Sequence, residues 1–203
     1  MKKYQVIYAD PPWSYNDKMG NDSAFMSATS AYPTQSLEWI KSLKVKDISA
    51  DNCVLFLWAV SPLLPEAFEV ITAWGFKYKT VGFVWSKRYR DGSPVSNMGR
   101  WTMGNVEMCL LATKGSLQRE VLNVKQLFED YRSEHSKKPD GIRDLIVELM
   151  GDRPRIELFA RDKGDKDLFG KNRMEGWDTW GNEVKSDILP PFHVCNSFHT
   201  FLH

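Results

Sequence analysis

The sequence predicts an α/β fold, a mostly parallel sheet with helices on both faces. Two observations carry this. Apolar, β-branched runs alternate with runs whose apolar residues recur at helical spacing, and such alternation builds parallel strands joined by helical crossovers. The chain has 203 residues, of which 42% are apolar. It shows no internal repeat and can bury one core as a single domain.

The elements follow in chain order. Tyr4-Gln5-Val6-Ile7-Tyr8-Ala9 is a short apolar stretch and reads as a buried strand over 4–10. A helix is expected near 34–46, a strand over 52–59, a second helix near 62–74, and strands over 78–85 and 105–113. The third helix, near 139–150, places Ile142, Leu145, Ile146 and Leu149 on one face and stops at Gly151. A last strand is expected over 154–160. Residues 1–187 form the expected domain, and 188–203 lack periodicity and read as a mobile end or an appended extension.

The most informative feature is Asp10-Pro11-Pro12-Trp13 at the mouth of the first strand. The prolines fix φ and carry no N–H, so the turn is stiff and its carbonyls can point outward. An ionised Asp10 only accepts hydrogen bonds, and Trp13 offers a flat face for stacking. Acceptors beside a platform suit a planar group bearing an NH2, such as adenine. That amine is a poor nucleophile because its lone pair is delocalised into the ring. Two acceptors on its N–H bonds pull the nitrogen toward tetrahedral geometry and stabilise the charge that develops on it. Asp10 is a weak base at neutral pH, so the proton leaves after transfer rather than before.

Several separated motifs in a fixed order give the chain a resemblance to a known family. Asp10-Pro11-Pro12-Trp13 is followed by Tyr32-Pro33-Thr34, Val54-Leu55-Phe56-Leu57-Trp58, Trp74-Gly75-Phe76 and Val84-Trp85-Ser86-Lys87. Then come Gly99-Arg100-Trp101, Asn105-Val106-Glu107-Met108-Cys109-Leu110, Lys138-Pro139-Asp140, Arg155-Ile156-Glu157-Leu158-Phe159-Ala160-Arg161, Gly176-Trp177 and Gly181-Asn182-Glu183. From about Tyr4 to Val184 the chain resembles the adenine-amino methyltransferases that include the catalytic subunit of the eukaryotic messenger-RNA enzyme, with bacterial and phage DNA-modifying relatives. The resemblance implies a Rossmann-like methyltransferase fold that uses S-adenosyl-L-methionine. It also implies circular permutation, with the catalytic strand first and the cofactor strand late. The sequence agrees: no glycine-rich cofactor loop precedes Asp10, where only three residues precede the strand.

Roles follow from the resemblance. Asp10 holds the adenine amine and the amino group of the cofactor, with Pro11 supplying a carbonyl. Pro12 belongs to the same catalytic turn, and Trp13 and Tyr32 flank the base. Lys138, or its neighbour Lys137, pairs with the cofactor carboxylate. Phe159, Arg161, Asn182 and Glu183 are cofactor-binding candidates, Glu183 standing where relatives often carry glutamine and Ala160 where many have glycine. Glu157 joins them as a carboxylate inside a strand pattern, with Arg161 as its expected partner. If the strands ending at Asp10 and at Arg161 are neighbours where the strand order reverses, amine and cofactor meet there.

Net charge is only +1, which excludes a protein coated for phosphate binding. Charge is nevertheless concentrated. Lys87, Arg88, Arg90 and Arg100 surround one loop that also holds Tyr89 and Trp101, and Arg119, Arg132, Lys137 and Lys138 form a second group. Lys87, Arg88, Arg100 and Trp101 are therefore candidate substrate contacts, combining phosphate binding with stacking. Nucleic acid is the expected partner, DNA favoured over RNA from the compact size, with a homodimer or partner subunit open. Adenine in a duplex must be flipped out to react. Cys53 and Cys109 read as core residues. Three cysteines without paired spacing, no signal peptide and no apolar span point to a cytoplasmic chain without disulfides or a core metal.

Overall fold

The computed structural model describes residues 2–14, 34–97, 101–131, 138–161 and 174–188. Tyr32, Arg100, Arg132, Lys137 and the segment 189–203 lie outside the described residues.

Seven strands form one sheet: β1 (Tyr4–Ala9), β2 (Ser49–Ala59), β3 (Lys77–Arg88), β4 (Val106–Lys114), β5 (Leu127–Tyr131), β6 (Arg155–Leu158) and β7 (Trp177–Trp180). Their order is β5-β3-β4-β2-β1-β6-β7. All neighbours are parallel except β4, which runs antiparallel to both β2 and β3. The expected mostly parallel sheet is present, with one reversed strand. β1 is central, and the chain leaves it toward β2 on one side and returns as β6 on the other. The strand order therefore reverses between β1 and β6, whose carboxyl ends carry Asp10 and Phe159.

Among the described residues three α-helices cover the sheet. α1 (Leu37–Ser42) starts at Ser36, whose hydroxyl accepts from the Trp39 N–H at 3.2 Å, an N-cap that satisfies one orphan donor. The helix is shorter than expected, and a 3-10 turn at Val45–Asp47 completes the segment. α2 (Leu64–Ala73) links β2 to β3 and is tied to α1 by Lys41, which bridges Glu38 and Glu69. α3 (Gly141–Met150) presents Ile142, Ile146 and Met150 as one buried stripe. It ends at Gly151, where φ is 75° and an added Cβ would meet the Glu120 carboxyl carbon at 2.5 Å.

Alternation along the central strands builds two cores. Ile7, Leu55, Leu57, Ile156 and Leu158 face Ile40, Val70, Ile71 and Trp74 of the α1–α2 layer. Val6, Tyr8, Phe56 and Trp58 face the α3 stripe. Each fully buried aliphatic side chain contributes about 1.5–3 kcal/mol. Buried ring heteroatoms keep partners: the Trp58 Nε1–H donates to Tyr8 Oη at 2.7 Å and the Trp74 Nε1–H to the Ile40 carbonyl at 2.9 Å. Ile188, placed by the sequence reading at the start of the tail, packs against the first core.

One ion pair fastens β6 to α3. The Arg143 guanidinium donates from Nε to Glu157 Oε2 at 2.6 Å and from Nη2 to Oε1 at 3.0 Å, and from Nη1 to Asp140 at 2.7 Å. The expected partner of Glu157, Arg161, is displaced from this role. Glu157 points to the α3 face between two residues that point the other way, whereas Arg161 lies past the turn that ends β6. Arg143→Met should lower the unfolding free energy by about 3–5 kcal/mol, because it strands a buried carboxylate. Chemical denaturation checks this, and a loss below about 1 kcal/mol would remove the pair from its structural role.

Candidate active site

The site is built on the carboxyl edge of the sheet. β1, β2, β3 and β6 end there, and the reversed strand β4 begins there. Asp10 follows β1 directly. Its Oδ2 accepts from Lys138 Nζ at 2.9 Å, and the same ammonium lies 3.2 Å from Glu107 Oε2. Glu107 Oε1 in turn pairs with Lys87 Nζ. The result is an alternating line of charges, Asp10–Lys138–Glu107–Lys87, with Lys138 5.4 Å from the Trp58 ring centroid and Lys87 4.9 Å from that of Trp85. All four side chains are largely withdrawn from water, Lys138 being 15% and Glu107 21% exposed.

The electrostatics differ along the line. Burial pushes the Asp10 carboxyl above its ordinary range, Lys138 offsets part of this, and Glu107 adds to it. Burial also opposes ionisation of Glu107, but Lys138 and Lys87 together outweigh it and hold that carboxyl below its ordinary value. Burial disfavours the Lys138 ammonium, yet two carboxylates overcome it and the amine is held above its usual value. Two acids in one cluster thus have opposite tendencies.

The turn after β1 is fixed by its own hydrogen bonds. The Trp13 N–H donates to the Pro11 carbonyl and the Gln35 N–H to the Pro12 carbonyl, both at 2.8 Å. The outward carbonyls expected from the two prolines are therefore already engaged by the chain, each keeping its second lone pair. The Trp13 indole Nε1–H donates to the Trp58 carbonyl at 3.0 Å, which sets the plane of the ring.

A cleft of about 1180 Å³ opens beside the turn, lined by Trp13, Ser36, Leu37, Ile40, Glu66, Lys87, Trp101 and Glu107 among others. Trp101 is 96% exposed at its rim. The loop that carries it is closed by Asn97 and Gly104, which exchange backbone hydrogen bonds at 2.9 and 2.8 Å. Arg88 departs from the expected substrate group. Successive strand residues point to opposite faces, and its guanidinium pairs with Glu129 of β5 while Lys87 turns to the cleft.

On the other side of β1, the end of β6 packs against the end of β7. Phe159 has φ 63°, uncommon for an aromatic residue. Its ring meets Trp180 edge-on at 5.4 Å and Trp39 at 6.4 Å. Ala160 N–H donates to the Trp180 carbonyl at 3.0 Å. Gly181 approaches so closely that an added Cβ would lie 2.3 Å from the Ala160 carbonyl oxygen. Arg161 Nε stands 4.0 Å from Glu183 Oε1, with Asn182 exposed beside it. The structure thus gathers Phe159, Arg161, Asn182 and Glu183 at the ends of β6 and β7 and leaves Glu157 on the α3 face.

Glu107 is the site residue that sequence reasoning did not single out. Its motif was visible, but its partnership with Lys138 depends on β4 being reversed. Among the described residues no group of three or more His, Cys, Asp or Glu side chains could hold a metal ion.

The Asp10 carboxyl should titrate above its ordinary 3.8, so its carboxylate is lost as pH falls through that raised midpoint. Lys138→Met removes the group that lowers the midpoint and should move it further up. Carbon-detected NMR titration of Asp10 reads both, and a downward move in the variant would contradict this electrostatic account. Glu107 has the opposite sign: its stabilising contribution is present above its ordinary 4.5 and is lost as pH falls through the lowered folded-state value.

Comparison with known proteins follows the same outline. Residues 4–183 match the MT-A70 family model. The chain is 39% identical to the type II methyltransferase M.MunI of a Mycoplasma species, over 93% of this chain and 81% of that protein. It is 24% identical to an Arabidopsis thaliana N(6)-adenosine-methyltransferase MT-A70-like protein, over 89% of this chain and 24% of the plant protein. Identity to the human N(6)-adenine-specific methyltransferase METTL4 is 25%, over 90% of this chain and 38% of the human protein. This chain belongs to the MT-A70 family and is a methyltransferase.

Proposed function

We propose that the chain transfers a methyl group from S-adenosyl-L-methionine to the exocyclic amino group of adenine in DNA. The observation that carries the reading is the placement of Asp10 at the switch point between β1 and β6, held by Lys138, in the turn whose Trp13 lines an aromatic-rimmed cleft. The 39% identity to a bacterial type II methyltransferase, spanning 81% of its length, supports DNA over RNA. Retention of Asp10 and Trp13 supports an enzyme over a non-catalytic binding subunit. The chain order, with the turn after β1 first and the ends of β6 and β7 last, supports circular permutation. A cytoplasmic location belongs to this reading, and no helix among the described residues is long and apolar enough to cross a membrane.

The residues fit the cofactor. Close backbone approach at Gly181 and the turned chain at Phe159 set the backbone at the end of β6, the edge where α/β sheets bind nucleosides. Arg161, Asn182 and Glu183 offer polar contacts to a ribose or adenine edge there. Lys138 offers an ammonium to a carboxylate, and Asp10 offers an acceptor to an amino group. When bound, S-adenosyl-L-methionine supplies an electrophilic methyl group.

The chain's own part is electrostatic and positional. Asp10, as the carboxylate, accepts one N–H of the adenine amine and stabilises the positive charge that grows on nitrogen. Lys138 keeps that carboxylate ionised and aimed, and Glu107 keeps Lys138 in place. Trp13, locked by Trp58, limits the tilt of the base. A duplex substrate must extrude the adenine, and the cleft volume is ample for a base. Lys87 and Trp101 at the cleft suit a phosphate and a neighbouring base.

Labelled S-adenosyl-L-methionine offered with duplex DNA, single-stranded DNA and RNA tests the reaction, with mass spectrometry of the nucleosides. N6-methyladenine should form in DNA. Asp10→Ala should lower the rate by about 10²–10³-fold or more while the far-UV spectrum is unchanged. Turnover within tenfold of the parent would remove Asp10 from this role.

A further inference from the structure

We infer that Glu66 reads a base next to the target adenine, by accepting a hydrogen bond from that base's exocyclic amino group. The inference deepens the reading of the cleft as a nucleic-acid site and rests on it.

Glu66 lies in the first turn of α2 and lines the cleft together with Trp13, Ile40, Leu37 and Lys87. Its Oε2 is closed off from water and has no hydrogen-bond partner. Nearby charge does not serve it: Lys41 is committed to Glu38 and Glu69, and Lys87 to Glu107. A buried, unpaired carboxylate oxygen is costly and calls for a donor that none of the described residues provides.

The sign of the charge narrows what that donor is. Phosphate is an anion and is repelled by a carboxylate, so Glu66 cannot serve backbone binding. Lys87 and Trp101 on the same cleft suit phosphate and stacking contacts. What a base offers to a carboxylate is an N–H. In the major groove cytosine presents its N4 amine as a donor, and glutamate accepting from it is a recurring readout. Adenine also presents an amine, at N6, but beside an N7 acceptor that a second carboxylate oxygen would oppose. Among the major-groove edges of a duplex, cytosine is therefore the one Glu66 fits.

The full chain is tested by selecting bound duplexes from a pool randomised on both sides of a fixed adenine, then sequencing them. The parent should enrich cytosine at one flanking position. Glu66→Gln, which adds an amide donor, should lose that preference by about 5- to 150-fold and gain adenine there, leaving other positions unchanged. Glu66→Ala should lose the preference without gaining another. Thermal unfolding of each variant confirms the fold. A parent with no flanking preference, or variants that enrich the same sequences as the parent, would overturn the inference. Enrichment of adenine rather than cytosine by the parent would overturn the choice of base. Methylation of the selected duplexes is measured separately. Glu66-dependent selection without methyl transfer would strike the proposed reaction and leave the readout by Glu66 standing.

Discussion

The site depends on one buried ammonium shared by two carboxylates. Taking an ion out of water costs several kcal/mol, and the cost is recovered only when charges of opposite sign are close and hydrogen-bonded. Lys138 meets that condition by touching Asp10 and Glu107, and Glu107 meets it again through Lys87. Two cations and two anions thus balance at the edge of the sheet. The groups come from the end of β1, the start of β4, the end of β3 and the residue region before α3. Each must be where it is for the others to stay charged. Asp10, hydrogen-bonded to one cation with Arg161 acting only from a distance, remains the less comfortable anion, and Glu107, paired with two, the more comfortable. A carboxylate only partly satisfied by its own protein is suited to take a further donor.

The reversed strand makes this arrangement possible. In a wholly parallel sheet only carboxyl ends meet at the ligand-binding edge. Because β4 runs the other way, its amino-terminal residue Glu107 arrives at that edge, opposite Trp85 and near the end of β2. The β3–β4 connection also hangs over the site, bringing Trp101 to the rim of the cleft. One inverted strand therefore supplies both an electrostatic partner for Lys138 and a loop residue at the rim of the cleft.

The central strands and α3 were legible in the sequence because they are buried on both faces or striped at helical spacing. β5 and β7 were not. β5, Leu127–Tyr131, alternates between exposed and half-buried residues at the edge of the sheet, and β7 has only four residues. The Asp10 turn was legible because its chemistry is local. Partnerships across the sheet were not local and were misjudged accordingly. Arg161 is near Glu157 in sequence, but the extended chain sends Glu157 to α3, where Arg143 waits. Strand parity alone would have separated Arg88 from Lys87. The unsatisfied oxygen of Glu66 has no sequence signature, since an acidic residue in a first helical turn is ordinary.

The turn after β6 is fixed by its neighbours. A non-glycine residue in the left-handed region costs on the order of 1–3 kcal/mol unless its surroundings fix it. Phe159 is fixed by Trp180 from β7 and Trp39 from α1. The two aromatic contacts offset the backbone cost and redirect the chain, so that Ala160 bonds to Trp180 and Gly181 can come close. A side chain at 181 would fill that approach. The strain, the aromatic clamp and the glycine form one device, and its effect is to lock the turn that ends β6 against the end of β7. The chain after β6 is thereby held beside the end of β1, its parallel neighbour, so that Asp10 and Arg161 follow adjacent strands at the same edge of the sheet.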